Sequence, residues 1–293
     1  MKNWQSKVDY LFEIVFSDTN QKKLEKATLW LSIIGFIIHL LLIYGKKFHL
    51  FEIPFETGLL INPISAIYTP FTIILIYEIY LLVLNLPRSF TTSVSKQFEI
   101  ISLILIRRIF ADIPKIDLAN EWHTTPANLQ LIYDVLGILI LFYLIHLFNK
   151  GRLKLHKKPI NANIKKFVSS KKVVSMVLLF LLIGVSFTSV FNWANALIYN
   201  TSSGDINAIF YNEFFSVLIL ADVFILLLSF QYTERYNQII RNTGFIICTI
   251  LIRLSFGVPG LTNVVLIISS VLFGLLILTI YNLSERALND EIC

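Results

Sequence analysis

Long apolar runs alternate with short clusters of charged and polar residues along the whole chain. The runs are 27–45, 66–86, 95–113, 130–149, 172–194, 213–230, 242–257 and 261–281. A bilayer core of about 30 Å is crossed by about 20 helical residues at a rise of 1.5 Å each. The pattern therefore predicts an all-α integral membrane protein with eight transmembrane helices. The run 242–257 is the weakest, because it is short and contains Arg253.

The first 26 residues have a different pattern. Apolar residues recur there on one face of a helix and charged residues lie elsewhere: Trp4, Val8, Leu11, Phe12 and Val15 against Lys2, Lys7 and Asp9. Such an amphipathic helix is typical of a segment that lies in the membrane interface. A helix packed against the protein's own cytoplasmic loops would show the same pattern. Residues 17–20, Ser-Asp-Thr-Asn, then supply a break and an N-cap.

The basic residues between the runs are strongly biased to one side of the membrane. With eight spans, 19 Lys and Arg residues lie on the side of both termini and 3 lie on the other. Because cytoplasmic loops carry the excess of Lys and Arg, both termini are predicted to be cytoplasmic. The 150–172 segment contains nine of these residues and no acid. Five of its lysines are candidates for binding anionic lipid or a protein partner: Lys154, Lys157, Lys158, Lys165 and Lys166.

Composition agrees with this class of protein. Hydrophobic residues make up 56% of the chain and charged residues only 15%, whereas soluble domains carry about 25% charged residues. The net charge of +6 follows from the topological bias, so it does not indicate a nucleic-acid partner. Cys248 and Cys293 predict neither a disulfide framework nor a metal cluster. The abundance of Lys, Asn and Ile suggests a prokaryotic source and therefore the inner membrane.

The chain divides into two halves of four runs each, and the halves resemble one another. Residues 98–110 (FEIISLILIRRIF) align with residues 245–256 (FIICTILIRLSF), and the second run of each half contains one acid, Glu78 or Asp222. Because four spans return the chain to the side on which it began, the halves are predicted to be parallel repeats about an axis along the membrane normal. The predicted organisation is an interfacial helix at 1–26, repeats at 27–149 and 172–281, a basic cytoplasmic linker at 150–171 and a cytoplasmic tail at 282–293.

An acid and an arginine lie deep in adjacent predicted helices of each half. At 1.5 Å per residue, Glu78 lies about 18 Å and Arg107 about 9 Å below the outer ends of their helices. The corresponding depths are about 13 Å for Asp222 and about 6 Å for Arg253. Since long side chains or one water can bridge such gaps, the sequence predicts the ion pairs Glu78–Arg107 and Asp222–Arg253.

These charges have three interpretations. A charge at mid-membrane costs about 2.5–3.5 kcal/mol on insertion scales, and buried pairs that fix the helix register would offset that cost. Alternatively, Arg107, Arg108 and Arg253 extend to the outer headgroups. In the functional interpretation, the acids handle protons or cations, or the arginines bind an anion or a lipid headgroup.

Arg108 is the most informative single position, because Leu254 stands at its counterpart in the second half. Two adjacent arginines on a helix point about 100° apart, so Arg108 is predicted to leave the Glu78 pair and to face a cavity, a partner or the interface. The fourth run of the first half adds two further candidates, Asp134 and His146. They lie about 18 Å apart along the helix and therefore cannot touch, although both could belong to one proton path.

No catalytic, cofactor-binding or metal-binding motif is present in the sequence, which argues against an enzyme. Two functions remain. The first is a transporter or channel-like protein that uses the acid–arginine pairs of each half. The second is a non-catalytic membrane subunit or receptor whose pairs are structural and whose basic loop binds a partner or anionic lipid. An enzyme acting within the membrane would need Arg108, Asp134 and His146 to converge, and their predicted depths argue against this.

Overall fold

A computed structural model describes residues 2–49, 62–113, 116, 125–155, 162–198, 206–233, 235–258 and 260–290. Within these ranges the chain is helical and contains no strand. The α-helices are α1 (Lys2–Val15), α2 (Asp18–Lys47), α3 (Tyr68–Asn85), α4 (Phe90–Asp112), α5 (Pro126–Leu153), α6 (Ala162–Ile198), α7 (Ile206–Phe230), α8 (Tyr236–Ser255) and α9 (Leu261–Asp290). A 3-10 helix, Pro63–Ile67, leads into α3.

Five helical segments are long and apolar enough to cross a membrane. They are Ser6–Lys47, Pro63–Asn85, Pro126–Leu153, Ile164–Thr188 and Leu261–Ala287. The described part of α7 contributes a shorter apolar helix, Phe214–Phe230. Helices α4 and α8 are not among these segments, and they contain the arginines at 107, 108 and 253. The structure therefore confirms the predicted helical class and the presence of membrane-type helices.

The corner between α1 and α2 is fixed by hydrogen bonds at the predicted break. Ser17 is the N-cap of α2, and its side chain accepts a hydrogen bond from the backbone N–H of Asn20 at 3.2 Å. The Asn20 side chain donates back to the carbonyl of Ile14 at 2.6 Å. These two bonds satisfy groups that helix ends otherwise leave without partners.

Helix α1 packs against α6, and Phe16, the residue that follows it, packs on α3. Lys172 Nζ lies 2.6 Å from Asp9 Oδ1, and the Phe16 ring stacks on Tyr80 with centroids 5.7 Å apart. Val8 is also buried. Leu11 and Val15, which the sequence places on the same face as Val8, are exposed, and the side chain of Trp4 lies outside the described residues. The helix thus has one packed and one exposed apolar side.

Helix α6 begins ten residues before the apolar run that predicts it, at Ala162 rather than at 172. Residues 162–171 contain no proline or glycine, so nothing in this part of the basic segment breaks the helix. One of its lysines, Lys171, is buried and donates to the carbonyl of Arg88 at 2.7 Å. Its ammonium also lies 4.5 Å from the centroid of the Phe90 ring. Lys171 therefore ties the start of α6 to the turn between α3 and α4.

Three phenylalanine rings join the two halves in the core. Phe98 of α4 and Phe148 of α5 meet edge to face, with centroids 5.1 Å apart. Phe148 in turn contacts Phe245 of α8 at 5.7 Å. All three side chains are fully buried. Phe98 and Phe245 are the first residues of the two aligned sequence segments, 98–110 and 245–256. The starts of these segments are therefore connected through Phe148.

Helices α5 and α9 run side by side in the same direction. A Cβ on Gly137 of α5 would overlap Val264 of α9, and a Cβ on Gly151 would lie 3.1 Å from Leu278. Gly151 follows Gly137 by 14 residues, and Leu278 follows Val264 by 14 residues. The equal spacing shows that the two helices keep one register over about 21 Å. A side chain at position 137 would require Val264 to move, whereas at position 151 a small shift of the Leu278 side chain would be required.

This register displaces the start of α9 from the start of α5 along the common direction of the two helices, so that α9 begins deeper in the bundle. Val264 lies 3 residues after the start of α9, whereas its contact Gly137 lies 11 residues after the start of α5. The difference of 8 residues corresponds to about 12 Å at 1.5 Å per residue. The turn between α8 and α9 is therefore recessed relative to the start of α5.

Candidate functional site

The ion pair predicted in the first half is formed between α3 and α4. Arg107 Nε donates to Glu78 Oε2 at 3.2 Å, and Arg107 Nη1 donates to the carbonyl of Phe71 at 3.2 Å. Glu78 is 4% exposed and Arg107 is buried as well. Glu78 and Phe71 both belong to α3, so these bonds connect two neighbouring helices of the same half.

The ion pair predicted in the second half is formed between α7 and α8. Arg253 Nη1 lies 2.7 Å from Asp222 Oδ2, and Asp222 is 1% exposed. The Nη1 hydrogens are not aligned with the carboxylate, so this contact is an ion pair without good hydrogen-bond geometry. The hydroxyl of Thr249 donates to the same carboxylate oxygen at 2.7 Å. Arg253 Nη2 donates to Gln97 Oε1 of α4 at 2.9 Å, so this pair reaches across to the first half.

Arg108 leaves the Glu78 pair, as the 100° rotation between adjacent residues predicts, and it bonds to Asp134 on α5. Arg108 Nε donates to Asp134 Oδ2 at 3.0 Å, and Arg108 Nη2 donates to Asp134 Oδ1 at 2.5 Å. The same Nη2 donates to Asn263 Oδ1 on α9 at 2.9 Å. Gln130 adds a further bond to Asp134 Oδ1 at 2.8 Å. Asp134 and Asn263 are fully buried, so two rigidly held side chains fix the arginine.

An open recess lies beside this arginine. It has a volume of about 320 Å³, and its lining residues are Arg108, Asp112, Gln130, Phe256, Gly257, Val258 and Gly260. Arg108 is 24% exposed, and among the described residues nothing accepts a hydrogen bond from its Nη1. Gly260 has a φ of +73°, and nothing lies within 4 Å of the position its Cβ would take. The free edge of the guanidinium thus faces an accessible space.

The recess follows from the register of α9 against α5. Because α9 starts about 12 Å deeper than α5, the turn before it forms a floor, and the upper parts of α4 and α5 rise around it as walls. Asn263 closes this floor from below, since its amide donates to the carbonyl of Ser255 while its oxygen accepts from Arg108. Arg253 lies only 3 residues before the first floor residue, Phe256.

The remaining candidates do not join this site. His146 is exposed, and the structure does not bring it to Asp134. Of the five lysines proposed to bind lipid or a partner, Lys154, Lys165 and Lys166 are exposed, and Lys157 and Lys158 lie outside the described residues. In the part of the chain that is described, no group of three or more His, Cys, Asp and Glu side chains could hold a metal ion.

The bond between Arg108 and Asp134 could have been predicted with the depth calculation used for the other pairs. Both residues lie within about 8 Å of the outer ends of adjacent predicted helices, which is close enough for a long arginine side chain to reach the acid. Gln97, Asn263 and Thr249 carry no comparable signal, because an uncharged polar side chain does not demand a partner of opposite charge. Their roles depend on which helices become neighbours.

Comparison of the chain with protein-family models, with curated proteins and with solved structures finds no match.

Proposed function

We propose that the chain is an eight-span membrane protein built from two parallel four-helix repeats, 27–149 and 172–281, in a prokaryotic inner membrane with both termini cytoplasmic. Each of the eight apolar runs coincides with a helix, which supports the number of spans. The common direction of α5 and α9 supports parallel repeats, since these are the fourth helices of the two halves. The 19-to-3 bias of basic residues supports the orientation.

We propose further that the protein is a non-catalytic membrane subunit or receptor, and that its deep ion pairs are structural. One observation carries this proposal: Glu78 and Asp222 are 4% and 1% exposed, and each carboxylate already has an arginine partner. An acid that handles protons or cations needs access to water. Acids that are enclosed and paired instead hold α3 to α4 and α7 to α8 in one register.

Two surfaces offer binding sites to a partner under this proposal. On the outer side, the free edge of Arg108 would bind a carboxylate or another anionic group of a ligand or partner protein, because the guanidinium matches such groups geometrically. On the inner side, the exposed Lys154, Lys165 and Lys166 would bind an acidic partner or anionic lipid, together with Lys157 and Lys158.

The test of the structural role combines transport and assembly. The full-length protein in proteoliposomes is expected to give no proton or cation flux above that of empty vesicles, as followed with pH- and potential-sensitive dyes. In native membranes, we expect a partner to co-purify with the protein and to be lost in the triple variant Lys154→Gln/Lys165→Gln/Lys166→Gln. The control variant Lys46→Gln/Lys47→Gln is expected to retain this partner. A flux that disappears on Asp222→Asn in a folded protein would contradict the proposal.

A closed transporter or channel-like protein is the second candidate, and the recess is the observation that favours it. The recess opens the outer surface down to Arg108 and to a floor that begins 3 residues above Arg253. If Asn263 moved, water could advance from this floor to the Asp222–Arg253 pair. This function predicts that Asn263→Ala raises ion flux in proteoliposomes, whereas the subunit proposal predicts no change.

A further inference from the structure

A basic pocket lies at the corner between α1 and α2, away from the ion pairs and the recess. Its volume is about 270 Å³, and it is lined by Asp18, Thr19, Lys22, Lys23 and Lys26. The three lysines are exposed, and no described carboxylate pairs with any of them. The pocket thus contains three positive charges against one negative charge. An anion is therefore the ligand class that complements it.

An exposed apolar row runs along α1, which ends three residues before the first residue of the pocket, Asp18. Tyr10, Leu11, Ile14 and Val15 are 66%, 51%, 46% and 37% exposed. They follow the i, i+1, i+4, i+5 spacing that places side chains on one face of a helix. Beside this row, Val8 and Phe16, the residue that follows α1, are buried. The exposed row therefore has no partner within the described chain.

The pocket and the apolar row are held in a fixed relation to one another. The Ser17 cap and the bond from Asn20 to the Ile14 carbonyl fix the corner between the two helices. The ion pair between Lys172 and Asp9 anchors α1 to α6. These bonds connect the two helices at the corner and α1 to α6, so the basic and apolar surfaces belong to one connected part of the protein.

Further along α2, the same surface becomes apolar. Lys26 is followed one helical turn later by Trp30, which is 65% exposed, and then by the exposed Ile33 and Ile34. The sequence from the pocket along α2 is thus charged first, then aromatic, then aliphatic. This order matches the order of phosphate, interface and acyl chain that a lipid presents.

We propose that this corner binds an anionic phospholipid of the inner leaflet. Lys22, Lys23 and Lys26 hold the phosphate group, and the acyl chains lie along α2 beyond Trp30. The apolar row of α1 enters the interface beside the headgroup. Each lysine near an anionic surface adds to the attraction of that surface, and burial of apolar side chains adds further attraction. The site is independent of the proposed receptor role and of the 150–172 lysines.

Trp30 provides the readout for the test. We would replace Trp4, Trp122 and Trp193 with Phe in the full-length protein, reconstitute it, and measure quenching of Trp30 by brominated phosphatidylglycerol and brominated phosphatidylcholine. We expect the anionic lipid to bind beside Trp30 about tenfold or more tightly, because even two of the three lysine contributions exceed the 1.4 kcal/mol that tenfold corresponds to. Lys22→Gln/Lys26→Gln is expected to bring the ratio of the two affinities close to one.

The matched control is Lys46→Gln/Lys47→Gln, which removes the same charge from the other end of α2 and is expected to leave the ratio unchanged. Equal quenching by both lipids in the Trp30-only protein would overturn the proposal, and so would an equal loss with both lysine variants. The salt dependence of the lipid preference provides a second test that needs no lysine substitution. Raising the ionic strength to 1 M should lower the preference severalfold, whereas a preference that does not depend on salt would contradict a phosphate bound by lysines.

Discussion

The two halves of the molecule contain the same pair of charges but use them differently. In the first half, Arg107 bonds to Glu78 and to the carbonyl of Phe71, both on α3. In the second half, Arg253 pairs with Asp222 on α7 and also donates to Gln97 on α4. One arginine therefore stabilises its own half, and the other also stabilises the contact between halves.

The physical reason for this difference is the register between the halves. Because α9 lies about 12 Å deeper than α5, equivalent residues of the two halves are not at equivalent depths. Arg253 consequently lies beside Gln97, which is ten residues before Arg107 on α4. The same displacement leaves Arg108 beside the recess and gives it Asp134 and Asn263 as partners. Two acid–arginine pairs that look alike in the sequence thus acquire two different roles.

The largest expected effects come from neutralising one partner of a buried ion pair. Glu78→Gln and Asp222→Asn should each lower the free energy of unfolding by about 3–5 kcal/mol, since an uncompensated arginine remains in the core. Double variants that remove both charges of a pair distinguish the two halves. Glu78→Gln/Arg107→Gln should recover most of the loss, whereas Asp222→Asn/Arg253→Gln should recover less, because Gln97 then loses its donor. Unfolding by SDS in mixed micelles measures these differences, and equal recovery in both halves would refute the comparison.

A smaller effect is expected from widening the contact between α5 and α9. Gly137→Leu places a side chain where Val264 already lies, and overpacking of this kind costs about 1–3 kcal/mol. The control is Gly184→Leu on α6, since nothing lies within 4 Å of a Cβ at that position. Thermal denaturation in detergent should show a lower Tm for the first variant only. Gly137→Ala should also lower the Tm, because its Cβ would overlap Val264. Adding Val264→Ala to Gly137→Ala should raise the Tm again, and failure to do so would argue against the close contact.

An effect of similar size should follow from removing the bond between halves while leaving both ion pairs intact. Gln97→Ala leaves Arg253 Nη2 without its acceptor, and an unsatisfied buried donor costs about 1–3 kcal/mol. Ser95→Ala, also a buried polar residue of α4, is the comparison, because its bond to Asn149 stays within the first half. Cysteine cross-linking between α4 and α8 should become slower in the Gln97 variant alone. An identical change in both variants would show that Gln97 does not connect the halves.

Much of the architecture follows from local features of the chain. The length and spacing of the apolar runs predict where helices lie, since a helix of about 20 residues has to present apolar side chains to lipid. Glu78, Arg107, Asp222 and Arg253 stand out because charges within apolar runs are costly and need partners. The rise per residue then suffices to predict which acid meets which arginine, because each pair lies on consecutive helices.

The sequence by itself therefore determines the helices, the two deep ion pairs and the departure of Arg108 from Glu78. Only the tertiary structure decides the register between the halves, and with it the recess, the contact of Arg253 with Gln97 and the position of Asn263 beneath Arg108. Depth along one helix can be calculated from residue numbers, but the displacement of one half against the other depends on how Gly137, Gly151, Val264 and Leu278 pack. That packing involves residues more than 120 positions apart, and no local pattern encodes it.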